Sequence, residues 1–209
     1  MAQESDVREI LNREQIVRHT LGLLDDRGLA AFRLKDLAAR LGVTIPNLYR
    51  HFKNRDDIVF SALAEDYISM CGQVATKIRE AAATISSLNE LLGSLQATFS
   101  QQHNNVALRR RTIRLQVLAA SGHNEQTGDI EVALHSVHLA LESLFDRAHE
   151  LNIIDRRFSS RSLVLVTSSL LTGIAVTEVD PLVAPAEPEM WSLFTVALVA
   201  LAPSNASGR

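Results

Sequence analysis

Apolar positions recur along this chain at intervals of three and four residues, and no stretch alternates apolar and polar long enough for a strand. That period predicts helix throughout. A first helix is expected from about Asn12 to Asp26, with Ile16, Val17, Thr20, Leu23 and Leu24 on its inner stripe. Asn12 can cap it, and Gly28 can end it, because left-handed backbone is cheap there only for glycine. Leu29, Ala31 and Phe32 supply apolar cover for the turn that follows. A second, short helix is expected from about Leu34 to Leu41, where Leu34, Leu37, Ala38 and Leu41 share one face. Gly42 closes it, Val43 points back to the core, and Thr44 can cap a third helix from Ile45 to about Phe52. Pro46 sits in the first turn of that helix, where a missing N–H costs nothing. Asn54 can cap the next helix, with Asp57 in its positively polarised first turn.

The remainder reads as six longer helices, at about Asp56–Ala82, Ser87–His103, Ala107–Ser121, Asp129–Leu151, Ser159–Glu178 and Glu187–Ala202. Breaks are expected at Gly122–Gly128, Asn152–Phe158 and Asp180–Pro188, the last holding Pro181, Pro185 and Pro188. The expected organisation is a head over residues 1–55 and a helical body over residues 56–209.

Charge changes the picture once it is divided by position. The chain as a whole carries a net charge of −3, which argues against nucleic acid. Residues 1–55 carry 10 Lys/Arg against 7 Asp/Glu, a surplus of three positive charges, so the acidity belongs to the body. Within 33–55 the bias sharpens to Arg33, Lys35, Arg40, Arg50, Lys53 and Arg55 against Asp36 alone. A local basic patch matters more to phosphate than the charge of the whole chain. The single cysteine, Cys71, excludes an intrachain disulfide and reads as a small buried thiol. The polar start, Met1 to Asp6, has no signal-peptide core, and the apolar stretches Leu163–Val176 and Leu193–Ala202 are too short to span a bilayer. A cytoplasmic protein without membrane contact is expected.

The informative stretch is Leu34–Phe52, LKDLAARLGVTIPNLYRHF. Two short helices joined through Gly42, held together by Leu37, Ala38, Leu41, Val43 and Leu48, form a helix-turn-helix, which presents its second helix to the major groove. The run Leu37-Ala38-Ala39-Arg40-Leu41-Gly42-Val43, then Leu48-Tyr49-Arg50-His51-Phe52-Lys53-Asn54-Arg55, with Gly28 ahead of it, resembles the head of the TetR family over roughly residues 10–65. The resemblance implies an all-α fold: a three-helix head with the helix-turn-helix, then a six-helix body whose last two helices join a four-helix bundle in a dimer. It implies a regulator, most often a repressor, that binds a palindromic operator in double-stranded DNA as a homodimer and is released by a small-molecule effector.

Family position and side-chain chemistry agree on the DNA-facing set. Tyr49 would give its hydroxyl to a phosphate, Asn47 would match the N6/N7 edge of adenine, and Thr44 would be cap and phosphate contact together. Arg50 and His51 would lie near bases or backbone, while Lys53 and Arg55 would hold phosphates. Arg33 stands where a Ser or Thr cap is usual, giving up about 1 kcal/mol and offering a phosphate contact instead. Ile45, apolar at the start of the reading helix, would pack on a thymine methyl or cover the turn. Lys35 and Pro46 complete the set.

In the body, Glu131, His135, His138 and Glu142 run beside the apolar stripe Ile130, Leu134, Val137, Leu141, Leu144, Phe145 and Ala148. A solvated face outweighs pocket lining or metal ligation there, because two histidines on one helix cannot complete a tetrahedral site. A metal-binding bundle built on that stripe is the alternative to the regulator. Arg109, Arg110, Arg111 and Arg114 form a second basic cluster better suited to salt bridges than to one ligand. Helix placement puts Tyr67, Met70, His103, Gln116, His135 and His138 forward as effector-lining residues. Leu163, Val166, Leu170, Gly173, Ile174, Trp191, Phe194 and Leu198 are expected at the dimer interface, on helices apolar on more than one face. No nucleotide, hydrolase or zinc-peptidase motif is present, so neither an enzyme nor a cofactor is expected.

Overall fold

The computed structural model describes residues 11–100 and 127–177, together with Ser192 and Val196. The described residues form helices only: α1 (Arg13–Arg27), α2 (Leu34–Leu41), α3 (Ile45–Leu48), α4 (Arg55–Thr84), α5 (Leu88–Ser100), α6 (Thr127–Glu150) and α7 (Ser160–Thr177). The helices expected at Ala107–Ser121 and Glu187–Ala202, and the break at Gly122–Gly128, fall largely or wholly outside the described residues. The fold is all-α, as the apolar period requires. Among the described residues no helix is long and apolar enough to cross a membrane.

Helix ends follow their caps. Asn12 Oδ1 accepts from Gln15 N at 2.8 Å while Gln15 Oε1 accepts from Asn12 N at 3.1 Å, a reciprocal box that starts α1. Gly28 stops it at φ 76°, donating its N–H to Leu24 O at 2.8 Å. Gly42 ends α2 in the left-handed region at φ 65°, where Val43 N reaches Ala38 O at 3.0 Å. Asn54 Oδ1 caps α4 through Asp57 N at 2.8 Å, and Asp57 Oδ2 returns the bond to Lys53 N at 2.8 Å. Ser87 Oγ accepts from Glu90 N at 3.2 Å at the start of α5. Glu90 in turn accepts from Ser86 Oγ and Ser86 N, bonds that lower its carboxyl pKa.

The third helix is shorter than its sequence suggests. Only Ile45–Leu48 is α-helical, and the expected continuation to Phe52 is replaced by tight turns. Arg50 N bonds Asn47 O at 3.3 Å and His51 N bonds Leu48 O at 3.0 Å, i→i−3 bonds that wind the chain more narrowly than an α-helix.

The chain divides into two compact units, Met1–Asp66 and Tyr67–Arg209. The first takes in the opening turns of α4, because Ile58, Val59, Ala62 and Leu63 are as buried as the head's own core. That core is Ile16, Leu23, Leu24, Phe32, Leu37, Ala38, Leu48 and Phe52. Buried Thr20 satisfies its hydroxyl on Ile16 O at 2.8 Å. Leu41 and Val43, expected in the core, are only half-buried, because they lie at the end of α2 and in the turn.

In the second unit α6 packs against α7. Ile130, Ala133, Val137, Ala140, Leu141, Leu144, Phe145 and Ala148 give α6 one continuous buried face. Asn152 makes the corner at φ 54°, a left-handed position that asparagine tolerates, and Ile153 N returns to Ala148 O at 2.8 Å. Ser159 caps α7 through Ser162 N at 3.2 Å.

Candidate nucleic-acid interface

The head offers one surface suited to a duplex: α2, the glycine turn and the single turn of α3 with its tight extension. Its inner side is fixed by Leu37 and Leu48, both fully buried, with Ala38 and Phe52 nearly so. Its outer side carries polar groups in close succession. Lys35, Thr44, Pro46, Asn47, Tyr49, Arg50 and Lys53 are exposed, and His51 is half-buried. Tyr49 keeps 46% of its surface in solvent, so its ring is not a core ring. Ile45 is half-buried and covers the turn, leaving part of its side chain accessible.

The six cations of residues 33–55 do not act alike. Arg40 pairs with Asp26 at 3.3 Å on the α1 side, where its guanidinium lies against Gly22. Arg33 folds back, donating to the carbonyls of Ala30 at 3.1 Å and Phe32 at 3.3 Å, and gives α2 no side-chain cap. Arg55 turns inward: its guanidinium donates to Leu29 O at 3.3 Å and Phe32 O at 3.4 Å, pairs with Asp56 at 3.0 Å and lies 5.4 Å from the Phe32 ring centroid. Arg55 therefore ties the α1–α2 turn to the start of α4, a task other than the phosphate contact expected for it. Lys35 and Arg50 make no side-chain hydrogen bond or ion pair among the described residues, which leaves both charges available to an outside anion.

Thr44 occupies the residue before α3 in extended conformation but forms no side-chain cap bond. Its hydroxyl instead donates to Asn47 Oδ1 at 3.0 Å. Sequence reasoning missed a further anchor, Arg13. Its guanidinium donates to His51 O at 3.2 Å and Ser61 Oγ at 2.7 Å, and stacks 4.3 Å from the Phe52 ring centroid. One cation from α1 thus holds both the turn after α3 and the first turns of α4. Nothing in the sequence marks it, since a cation on the outer face of an amphipathic helix looks like any solvated residue.

In the body the expected sites are unevenly assembled. Tyr67 and Cys71 are buried and Met70 is half-buried, while His103 and Gln116 lie outside the described residues. Along α6, Glu131 and His135 are exposed and His138 and Glu142 half-buried. Burial, then the neighbouring His135, lowers the pKa of His138. No group of three or more His, Cys, Asp or Glu side chains converges to hold a metal among the described residues, so the stripe receives no support as a metal site.

A second feature invisible in sequence sits at the α6–α7 corner. Buried Ser160 donates its hydroxyl to Asp146 Oδ1, and His149 Nδ1 lies 3.1 Å from Ser160 Oγ. With the serine proton committed to Asp146, His149 donates from Nδ1, and its buried Nε2 has no hydrogen-bond partner among the described residues.

Of the expected dimer residues, Leu163 is 5% exposed and packs inward, which removes it from any partner's reach. Val166 at 54%, Leu170 at 42% and Gly173 form an exposed strip on α7, joined by Leu165. The side chains of Ile174, Trp191, Phe194 and Leu198, and all four arginines of 109–114, lie outside the described residues.

Comparison with known proteins finds a likeness in the head. Residues 16–62 match the model of the bacterial regulatory proteins of the tetR family. The head is similar to that of the TetR family. A class C tetracycline repressor protein of Escherichia coli is 43% identical over 60 residues, 29% of this chain and 27% of that repressor. The match to this curated relative thus spans about a quarter of its length. Beyond the TetR head the likeness is one of fold. SmeT, the repressor of the Stenotrophomonas maltophilia multidrug efflux pump SmeDEF, aligns over 95% of this chain and 94% of its own at TM-score 0.62 and 15% identity. A Saccharomonospora viridis protein solved in complex with choline aligns over 90% of this chain and 95% of its own at TM-score 0.67 and 18% identity.

Proposed function

We propose that this chain is a TetR-family transcriptional regulator that represses by binding a palindromic operator as a homodimer and lets go when a small molecule enters its body. The observation that carries the reading is the head: a rigidly backed turn of helix whose outer side gathers Lys35, Thr44, Asn47, Tyr49, Arg50 and Lys53 within twenty residues. Lys35, Tyr49, Arg50 and Lys53 would position the duplex through phosphates, with Asn47, Pro46 and His51 toward the base edges. Arg33 and Arg55, bonded to carbonyls of the α1–α2 turn, would add their charge to the phosphate contacts.

The exposed strip Val166, Leu170 and Gly173 on α7 supports homodimerisation, and two-fold symmetry would make the operator an inverted repeat. Release requires an effector that binds the DNA-free state more tightly than the bound one. The half-buried, uncharged His138 and its neighbour His135 are the groups we assign to recognising it, alongside Tyr67 and Met70. SmeT is a repressor and the Saccharomonospora viridis relative holds choline, which supports both halves of the reading by analogy of fold.

The test is selection from a randomised duplex pool by the purified full chain, repeated across salt concentrations. Enrichment of an inverted repeat whose affinity falls steeply as salt rises is expected. Absence of enrichment at low salt, after co-purified small molecules are removed, would overturn the reading.

A further inference from the structure

Thr44 and Asn47 flank Pro46 at the start of α3, both exposed, and they bond each other in an unusual sense. A threonine before a helix ordinarily accepts a hydrogen bond from a first-turn amide. Here the amide of Asn47 goes to Thr44 O at 3.0 Å, and the Thr44 hydroxyl is free to donate to Asn47 Oδ1, also at 3.0 Å. In this arrangement the Thr44 hydroxyl faces the oxygen end of the carboxamide. Oδ1 is drawn back toward the chain, and Nδ2 with its two hydrogens is the end left to an outside partner. Donation into the oxygen also polarises the amide, strengthening Nδ2–H as a donor and weakening Oδ1 as an acceptor.

An asparagine reads adenine by accepting from N6 while donating to N7, which requires its oxygen at the base edge. Guanine presents two acceptors there, N7 and O6, and asks only for donors. We propose that Thr44 is a positioning residue that turns Asn47 into a donor-only reader, and that the pair selects guanine over adenine at the base it faces. This rests on the DNA-reading role proposed for the head, and it replaces the adenine contact expected from the Asn47 side chain alone. Pro46, with φ fixed by its ring, narrows the spread of the short span between the two side chains.

The experiment is the same duplex selection carried out in parallel on the full-length wild type and on Thr44→Ser, Thr44→Val and Asn47→Ala. Asn47→Ala identifies the position by flattening its preference. At that position wild type and Thr44→Ser are expected to favour guanine over adenine by about tenfold. Thr44→Val, which keeps the shape but removes the hydroxyl, is expected to lose that ratio and move toward adenine. A uniform loss of affinity in Thr44→Val, with the guanine preference intact, would mean that Thr44 only touches backbone and would overturn the proposal. Adenine at that position in the wild type would overturn it as well. A wild type that enriches no sequence would remove the DNA-reading role itself, and is thereby distinguished from a failure of the Thr44–Asn47 inference alone.

Discussion

Two corners of the molecule, one in each compact unit, are braced by different chemistry. At the start of α4, arginines donate to backbone carbonyls: Arg13 to His51 O in the turn after α3, and Arg55 to Leu29 O and Phe32 O in the α1–α2 turn. Between α6 and α7, Ser160 bonds both Asp146 and His149, and Arg156 donates to the His149 carbonyl at 3.2 Å. The acceptors of Arg13 carry no net charge, so that brace leaves its positive charge in the field around the reading turn, whereas Arg55 is also paired with Asp56. Arg156 likewise keeps its charge, but it belongs to the other compact unit and not to the reading surface. Structural and electrostatic duties therefore coincide in Arg13 and are separate at the Ser160 corner, and substitutions should divide along that line.

The largest expected effect is on the head's core. Leu48→Ala removes the fully buried side chain that backs α3 and should cost about 2 to 5 kcal/mol, read by urea unfolding followed by circular dichroism. Next comes Ser160→Ala, which removes the hydrogen bonds from Ser160 to exposed Asp146 and half-buried His149 and should cost about 1 to 3 kcal/mol while leaving DNA affinity per folded molecule unchanged. Arg13→Met keeps apolar cover over Phe52 but loses two hydrogen bonds, about 1 kcal/mol or somewhat more, and should also weaken binding to every duplex. An equal loss of DNA affinity in Ser160→Ala and Arg13→Met would break the comparison.

The smallest expected effect concerns pH. Burial and His135 hold the pKa of His138 below its ordinary value, so the folded chain binds fewer protons there than the unfolded one. The uncharged state is in place above the usual histidine pKa of about 6.5, and stability falls as pH drops from there through the lowered value. His138→Gln should flatten that part of the stability profile, measured by thermal melting across pH. A profile left unaltered would mean that His138 titrates as it does in the unfolded chain.

How much of this was legible in sequence depended on how local the signal was. The caps Asn12, Gly28, Gly42 and Asn54 act within a few residues of themselves, so the helix ends of the head could be read from them. Leu37, Ala38, Leu48 and Phe52 fell into the core because a helical period of apolar residues has only one face to bury. The length of α3 was not legible, because the tight i→i−3 turns after Leu48 use the same residues an α-helix would. Nor were the arginine roles: Arg13 acts on residues 38 and 48 positions away, and Arg55 on residues 26 and 23 positions back. The guanidiniums of Arg33, Arg40 and Arg55 counted as basic patch in sequence, whereas three-dimensional partners commit them to carbonyls and to carboxylates. In the body, Leu163 and Val166 look alike in sequence, yet only the second faces outward.

The account stands or falls on the docking of the head. The most direct test is the affinity of the Tyr49→Phe, Lys53→Ala double variant for the selected duplex and for a scrambled one, each titrated across salt. Loss of binding to both duplexes, with a salt dependence shallower by about one for the lysine removed, is the expected result. Unchanged affinity in a variant that melts like the wild type would contradict the interface described for α2 and α3.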